Sequence, residues 1–238
     1  MAEPRPMPDG GTDFDRWEAS YAQTIEKTVP FLPQELDFYV RTKAEEFLEM
    51  TERRLGPPDE LRALDVGCGI GMLHPYLAPH LGHLDAADIA TGTLERARRK
   101  NPGVDYRLYD GETLPFEDRC MHISFAMGVL HHVVPDGWAG FLAQLARVTR
   151  PGGLVALVEP NLLNPVCRFG AGRCEFDRDA NFLPARRLRR LAADAGLKDV
   201  EVRYILFVPV PLPWRRALER RLRWLPLGAQ YILSGRVT

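Results

Sequence analysis

Apolar positions along this chain follow two patterns in turn. Short, continuous apolar runs of the kind that form buried strands are separated by stretches in which apolar residues recur every three or four positions, as on one helix face. The pattern predicts strands at 61–66, 83–89, 104–109, 120–133, 154–158, 200–208 and 231–237. It predicts helices at 72–81, 91–100, 136–149, 184–195 and 214–225. Strands and helices therefore alternate along most of the chain.

The N-terminal part of the chain has no strand pattern. Phe14, Trp17 and Tyr21 begin a helical stripe that continues in a second periodic segment, so residues 14–55 are expected to be helical. Residues 1–13 are rich in proline, glycine and acidic residues, without an apolar core. We expect them to be disordered.

The composition is that of a globular protein with one domain, which we place at residues 14–238. The chain has 238 residues, of which 45% are hydrophobic and 26% charged. No apolar run reaches the ~18 residues that a membrane-spanning helix needs. The N-terminus does not resemble a signal peptide, so a cytoplasmic protein is expected. The four cysteines, Cys68, Cys120, Cys167 and Cys174, show no C-x-x-C pair and no metal-ligand spacing, so no metal site is expected.

The net charge of −1 is unevenly distributed along the chain. From Pro160 onward there are 15 Lys+Arg and 7 Asp+Glu, against 16 and 25 before it. The basic C-terminal third indicates either an anionic partner or surface, or helices with solvated arginines. The basic amphipathic helix predicted from Trp214 to Leu225 can contact an anionic membrane weakly or pack on its own domain. No DNA partner is expected, and RNA is disfavoured because no RNA-binding module is appended.

The most informative chemistry lies in the glycine-rich turn after the first strand. Gly67, Gly69 and Gly71 alternate there, and such glycines let the backbone turn sharply and approach a ligand closely. A dinucleotide fingerprint would need its third glycine where Met72 stands, and Asp65 would repel a pyrophosphate. A carboxylate suits a ligand with an ammonium group instead. The turn therefore favours S-adenosylmethionine, which has an amino-acid tail and no phosphate, over a nicotinamide cofactor.

The segment Leu64–Gly71 (LDVGCGIG) resembles the first motif of the class I S-adenosylmethionine-dependent methyltransferases. Asp110–Phe116 (DGETLPF) and the Arg-Pro-Gly-Gly turn at 150–153 match later motifs of the same family. The resemblance implies an α/β fold with a Rossmann-like, doubly wound, seven-stranded sheet whose last strand is antiparallel. It also implies an N-terminal helical lid at 14–55 over a Rossmann-like core at 61–238.

The resemblance further implies where the cofactor binds. Tyr21 is expected near the cofactor carboxylate, although it could equally pack in the apolar stripe. Asp88 is expected to take both ribose hydroxyls, and the backbone carbonyl of Met127 the methionine ammonium. Asp110 is expected to receive the adenine amino group and the N–H of Gly111 to meet a ring nitrogen, although a surface turn also favours Asp-Gly. The implied cofactor-binding residues are Tyr21, Asp65, Gly67, Cys68, Gly69, Gly71, Asp88, Ile89, Asp110, Gly111 and Met127.

Candidate catalytic residues follow the fourth and fifth strands. His131 and His132 come after the fourth strand and Glu159 ends the fifth, where ligands bind in an open α/β sheet. Each of the three is a candidate general base. Because neighbouring residues point apart, at most one histidine is expected to face the pocket, and packed or surface histidines are the alternative. Similar bacterial methyltransferases share a Cys-x-Phe-Asp segment, here Cys174–Asp177.

The resemblance implies methyl transfer from S-adenosylmethionine to an oxygen or nitrogen of a small-molecule acceptor, such as a natural product, a sugar or a lipid-linked intermediate. Three alternatives remain: an RNA methyltransferase that uses the basic C-terminal third, a nicotinamide oxidoreductase, and the same fold with methyl transfer lost. The last would act as a cyclase or a regulatory module, since a fold does not determine the chemistry. The oligomeric state is not predicted.

Overall fold

The computed structural model describes residues 36–171, 173, 177, 179–208 and 210–238. The disorder predicted for residues 1–13 and the first part of the predicted lid, including Tyr21, lie outside the described residues. The second part of the predicted lid is helical, as expected.

A single sheet contains all strands of the described chain. The strands are β1 Arg62–Val66, β2 His83–Asp88, β3 Asp105–Leu108, β4 Met121–Met127, β5 Thr149–Pro160, β6 Lys198–Ile205 and β7 Gln230–Arg236. Their order is β3-β2-β1-β4-β5-β7-β6. Strands β1 to β5 pair in parallel, and β7 runs antiparallel to both β5 and β6. The predicted doubly wound, seven-stranded sheet with an antiparallel last strand is confirmed.

Helices cover both faces of this sheet. Within the described residues they are α1 Leu36–Leu55, α2 His74–Leu77, α3 Thr91–Lys100, α4 Trp138–Val148, α5 Pro165–Ala171, α6 Ala185–Asp194 and α7 Arg215–Leu222. The α3 bounds agree with the prediction, because an Asn-Pro-Gly sequence follows and ends the helix. The helix predicted at 72–81 is only one turn of α2 followed by a 3-10 turn at Ala78–His80. No described helix is both long and apolar enough to cross a membrane.

Two apolar layers form because successive strand residues point to opposite faces of the sheet. Leu64 and Val66 belong to the layer closed by α4 and α6. Ala63 belongs to the opposite layer, which α1, α2 and α3 complete. In this second layer Phe47 of α1 packs on Phe125 of β4, with ring centroids 4.4 Å apart. Helix α1 is therefore an integral part of the core as well as a neighbour of the carboxyl edge of the sheet.

Two segments differ from the prediction near the carboxyl and amino ends of the central strands. Strand β4 ends at Met127 because Gly128 has a left-handed φ of +73°, although its N–H still donates to Val158 O of β5 at 2.7 Å. A 3-10 turn at Leu130–His132 follows, so the two histidines are not in a strand. The predicted turn at 150–153 is included in β5, where the register between β4 and β5 shifts.

The basic helix α7 lies against the acidic side of α1. The ion pairs that join α7 and the next residue, Arg223, to α1 are Arg215–Glu45 (3.3 Å), Arg220–Glu49 (3.0 Å), Arg223–Glu46 (3.1 Å) and Arg223–Glu49 (2.5 Å). Two arginines of α7, and Arg223 directly after it, are thus neutralised within the domain. Weak membrane contact through the rest of this helix stays a prediction.

Candidate functional site

The glycine-rich turn after β1 has a backbone that only glycine adopts readily. The φ angles are +77° at Gly67, +53° at Gly69 and +70° at Gly71. A Cβ at Gly67 would lie 2.6 Å from Val129, and one at Gly71 would lie 2.8 Å from His74. A Cβ at Gly69 would meet no described atom within 4 Å. Packing therefore requires the outer glycines, while Gly69 presents bare backbone to open space at the carboxyl end of β1.

Buried polar side chains support this turn. Asp65 is 2% exposed, and His74 Nε2 lies 3.0 Å from its Oδ2. His74 Nδ1 lies 2.6 Å from the Tyr106 hydroxyl, and burial raises the pKa of that hydroxyl. Asn101 Nδ2 donates to the carbonyl of Gly71 at 3.2 Å. His74 and Tyr106 were not predicted, because 32 residues separate them. The role of Asp65 toward a ligand ammonium stays a prediction.

Asp88 lies at the carboxyl end of β2, next to the glycine-rich turn. Its carboxylate accepts the N–H of Gly69 at 2.7 Å and that of Ala90 at 3.0 Å, and burial raises its pKa. A carboxylate can accept about four hydrogen bonds, so capacity remains for a ribose diol. Ile89 is 51% exposed, and a Cβ at Gly111 would lie 3.6 Å from it. An apolar side chain beside bare backbone is an arrangement that suits a flat adenine ring.

The other predicted cofactor residues are positioned near the same edge. Asp110 is exposed, and its Oδ1 accepts the N–H groups of Glu112 (2.8 Å) and Thr113 (2.7 Å), which lowers its pKa. This is the turn chemistry that the sequence left as an alternative, and the adenine role stays a prediction. Met127 is half-buried at the end of β4. Burial, together with nearby carboxylates, raises the pKa of the Cys68 thiol, so Cys68 is unsuited to act as a nucleophile.

A buried histidine–glutamate pair lies where β4 and β5 end. His131 Nδ1 is 2.5 Å from Glu159 Oε2, and Glu159 Oε1 accepts the N–H groups of Leu130 (2.9 Å) and Val129 (3.3 Å). His131 is 4% exposed and Glu159 1% exposed. Because Glu159 is 1% exposed and already accepts three hydrogen bonds, it is placed to orient His131 rather than to contact an acceptor.

Asp177 brings the second histidine into the same group. Its Oδ1 lies 3.6 Å from His131 Nε2 and 3.9 Å from His132 Nε2. The two imidazole centroids are 4.1 Å apart, so the expectation that the histidines point apart is wrong. The 3-10 turn, unlike a strand, allows neighbouring side chains to lie on one side. We call these four side chains the histidine–carboxylate cluster: His131, His132, Glu159 and Asp177.

The charges of this cluster move the pKa values of its two imidazoles apart. Burial by itself would lower the pKa of His131, but the nearby Asp177 carboxylate and the hydrogen bond to Glu159 raise it to about 9. Burial and the nearby charge of His131 lower the pKa of His132 to about 4. Burial also lowers the pKa of Lys43 on α1, against the attraction of Glu159. The two carboxylates of the cluster thus stabilise positive charge at this point of the fold.

Asp177 and Lys43 are the functional candidates that the sequence analysis missed. Asp177 ends the Cys-x-Phe-Asp segment, which is the feature of the sequence that pointed toward it. Lys43 belongs to the apolar stripe of its helix, and a cation within such a stripe is the feature that could have marked it.

Known proteins share this arrangement of strands and turns. The family described as a methyltransferase domain matches residues 64–157, from β1 into β5. A ubiquinone biosynthesis O-methyltransferase from Methylocella silvestris is 30% identical over 182 residues, covering 71% of this chain and 70% of that enzyme. This chain belongs to the class I S-adenosylmethionine-dependent methyltransferases. A ubiquinone biosynthesis O-methyltransferase from Parvibaculum lavamentivorans is 25% identical over 203 residues, covering 80% of this chain and 79% of that enzyme.

The fold of this methyltransferase is also found among solved structures. An S-adenosylmethionine-dependent methyltransferase from Thermotoga maritima superposes with a TM-score of 0.66 at 17% identity, covering 94% of this chain and 98% of that one. The protein is therefore an enzyme, its cofactor is S-adenosylmethionine, and the nicotinamide alternative is set aside. The bare backbone at Gly69, the carboxylate of Asp88 and the exposed Ile89 fit this cofactor. Which of the predicted residues contact it stays a prediction.

Proposed function

We propose that this methyltransferase methylates a hydroxyl oxygen of a small-molecule acceptor held by the histidine–carboxylate cluster. The observation that supports the proposal is the position of the cluster beside the glycine-rich turn, which we assign to the cofactor. A Cβ at Gly128 would lie 3.8 Å from His131, and Val129 packs against Gly67 of the glycine-rich turn. The cluster and the turn therefore share one edge of the sheet, the edge at which open α/β sheets bind ligands.

The chemistry of the cluster suits a hydroxyl group. The neutral His132 imidazole and the Asp177 carboxylate can accept a hydrogen bond from a hydroxyl, and the protonated His131 can donate one to its oxygen. His132 and Asp177 are the members open to an acceptor, because their side chains are 35% and 21% exposed. Glu159 acts as a positioning residue through its bond to His131 Nδ1. Of the two histidine candidates for general base, His132 is the one whose lowered pKa leaves it neutral near pH 7, whereas His131, with a pKa of about 9, is protonated there and can only donate.

The cofactor, when bound, supplies a methyl group that the positive sulfur has already activated. The chain's own contribution is then mainly to position the acceptor and exclude water. Gly69, Asp88 and Ile89 are the residues that we assign to the cofactor, and the histidine–carboxylate cluster is assigned to the acceptor. The relatives named as O-methyltransferases agree with an oxygen acceptor.

The test compares matched acceptors that differ only in the reacting atom. Phenols and alcohols are incubated with the enzyme and S-adenosylmethionine beside the corresponding amines, and formation of the demethylated product S-adenosylhomocysteine is measured. We expect turnover of the hydroxyl compounds only. We expect His131→Gln to lower kcat by about 100-fold, while the Kd of S-adenosylhomocysteine is unchanged.

His80→Gln, at an exposed histidine outside the cluster, is the matched control and should retain full activity. Turnover confined to amines, or full activity in His131→Gln, would refute the proposal. Salt-sensitive methylation of RNA, with no small acceptor used, would establish the RNA alternative instead.

A further inference from the structure

The histidine–carboxylate cluster has the spacing of a metal site. His131, His132 and Asp177 each offer one donor atom, and these three atoms all lie within 4.8 Å of one another. The two histidine–aspartate distances are 3.6 Å and 3.9 Å. Ligands at about 2.0–2.1 Å from a tetrahedral zinc ion are roughly 3.3 Å apart. The three donors would therefore need to move only slightly to share one ion.

Glu159 supplies the outer support that metal-binding histidines usually have. It holds His131 through Nδ1 at 2.5 Å and is itself held by two backbone N–H groups. A histidine that donates Nδ1–H to a carboxylate has its ring orientation determined and presents Nε2 to a metal, which displaces the proton there on binding. The ring of Phe182 stacks on His131, with centroids 5.4 Å apart and planes 11° apart. His131 is thus oriented before any ion binds.

The exposed side of the cluster distinguishes it from a closed structural site. Structural zinc sites have four protein ligands, whereas catalytic sites have three and leave a position for water or substrate. Here His131 is almost fully buried, but the side chains of His132 and Asp177 are 35% and 21% exposed. Two histidines and one carboxylate with open positions are a ligand set that suits zinc, manganese or iron.

We propose that His131, His132 and Asp177 bind one divalent transition-metal ion, and that the open positions of this ion bind the acceptor's oxygen atoms. The role toward the acceptor rests on the proposed function. A metal ion lowers the pKa of a bound hydroxyl, so it can prepare a hydroxyl for methylation without a free general base. Acceptors with two adjacent oxygens, such as catechols or hydroxy acids, would fill two open positions together.

A second trio with similar spacing provides a contrast. His83, Asp85 and Asp105 also have donor atoms within 4.8 Å of one another, at the amino ends of β2 and β3. There Arg62 donates to both oxygens of Asp85, at 2.7 Å and 3.2 Å. A cation already neutralises that carboxylate, so we expect no ion at this second place.

The proposal is tested with Zn²⁺ alone, without acceptor or cofactor. The enzyme is freed of metal with a chelator, titrated with Zn²⁺ in a calorimeter and analysed for metal content after dialysis. We expect one Zn²⁺ per chain, and an affinity that falls by about 100-fold or more in His132→Ala and in Asp177→Asn. His83→Ala and Cys167→Ser should both bind Zn²⁺ like the wild type, and the second result would show that the Cys167 thiol is not a ligand.

Thermal protection by S-adenosylhomocysteine is measured for every variant, and it should be retained because the altered side chains lie outside the cofactor turn. The visible spectrum of the Co²⁺-loaded enzyme should change in Asp177→Asn. Equal Zn²⁺ affinity in wild type, His132→Ala and Asp177→Asn, or no saturable binding, would overturn the metal site even if hydroxyls are methylated. Zn²⁺ binding that depends on these residues would support the site even if only amines are methylated, and only the proposed function would then fail.

Discussion

Alanine at Gly71 should destabilise the fold, whereas alanine at Gly69 should chiefly impair cofactor binding. The φ angle is +70° at Gly71 and +53° at Gly69, so an alanine at either position would have a left-handed backbone conformation, which costs about 1–2 kcal/mol. At Gly71 the new Cβ would also lie 2.8 Å from Asn101 Nδ2 and His74 Nδ1, and such overpacking adds about 1–3 kcal/mol. The free energy of unfolding should fall by about 2–5 kcal/mol for Gly71→Ala and about 1–2 kcal/mol for Gly69→Ala.

Urea denaturation measures these losses, and calorimetric titration with S-adenosylhomocysteine measures cofactor affinity. Gly196→Ala is the matched control, because Gly196 has φ +86° and a Cβ there would meet no described atom within 4 Å. Gly69→Ala should be as stable as this control but bind S-adenosylhomocysteine at least about 10-fold more weakly. Unchanged affinity in Gly69→Ala would show that the cofactor does not lie against Gly69. Equal stability of Gly69→Ala and Gly71→Ala would refute the packing argument.

Three further changes test other parts of the structure. Burial raises the Asp88 pKa above 3.8, so the affinity for S-adenosylhomocysteine should weaken on acidification as the carboxylate is protonated. Asp88→Asn should remove this pH dependence. If the affinity of the wild type does not change down to pH 4, the prediction is contradicted. His74→Ala removes the partner of buried Asp65, and the free energy of unfolding measured by urea denaturation should fall by about 3 kcal/mol. Arg223→Ala leaves Glu46, which is 5% exposed, without this ion pair; the expected loss of about 1 kcal/mol should shrink in high salt, and a salt-independent loss would count against an electrostatic cause.

The cofactor half of the site could be predicted because its determinants are close together in sequence. Three alternating glycines directly after an apolar strand require a left-handed turn, and the structure shows that turn. Asp88 ends the next strand, and parallel pairing of β1 with β2 places it beside Gly69. The sequence pattern did not reveal that His74 and Tyr106 support the turn, because their contact depends on how α2 packs on β3.

The histidine–carboxylate cluster, which we propose binds the acceptor, depended on long-range contacts. Glu159 lies 28 residues after His131, and only the pairing of β4 with β5 brings their ends together. The strand predicted through 133 would have separated the histidines, but the left-handed Gly128 ended it and a 3-10 turn followed. Asp177 reaches the cluster from the segment after α5, so no spacing rule for metal ligands could have detected the trio.

The sequence by itself determined the fold class, the cofactor and the left-handed glycine-rich turn after β1, because strand and helix periodicity and glycine spacing act over a few residues. The tertiary structure alone decided which polar side chains meet in the histidine–carboxylate cluster and which arginines in and directly after α7 are neutralised by α1. Those outcomes depend on distances between chain segments that are far apart in sequence. A local sequence pattern does not specify such distances, because they are determined only when the whole sheet has formed.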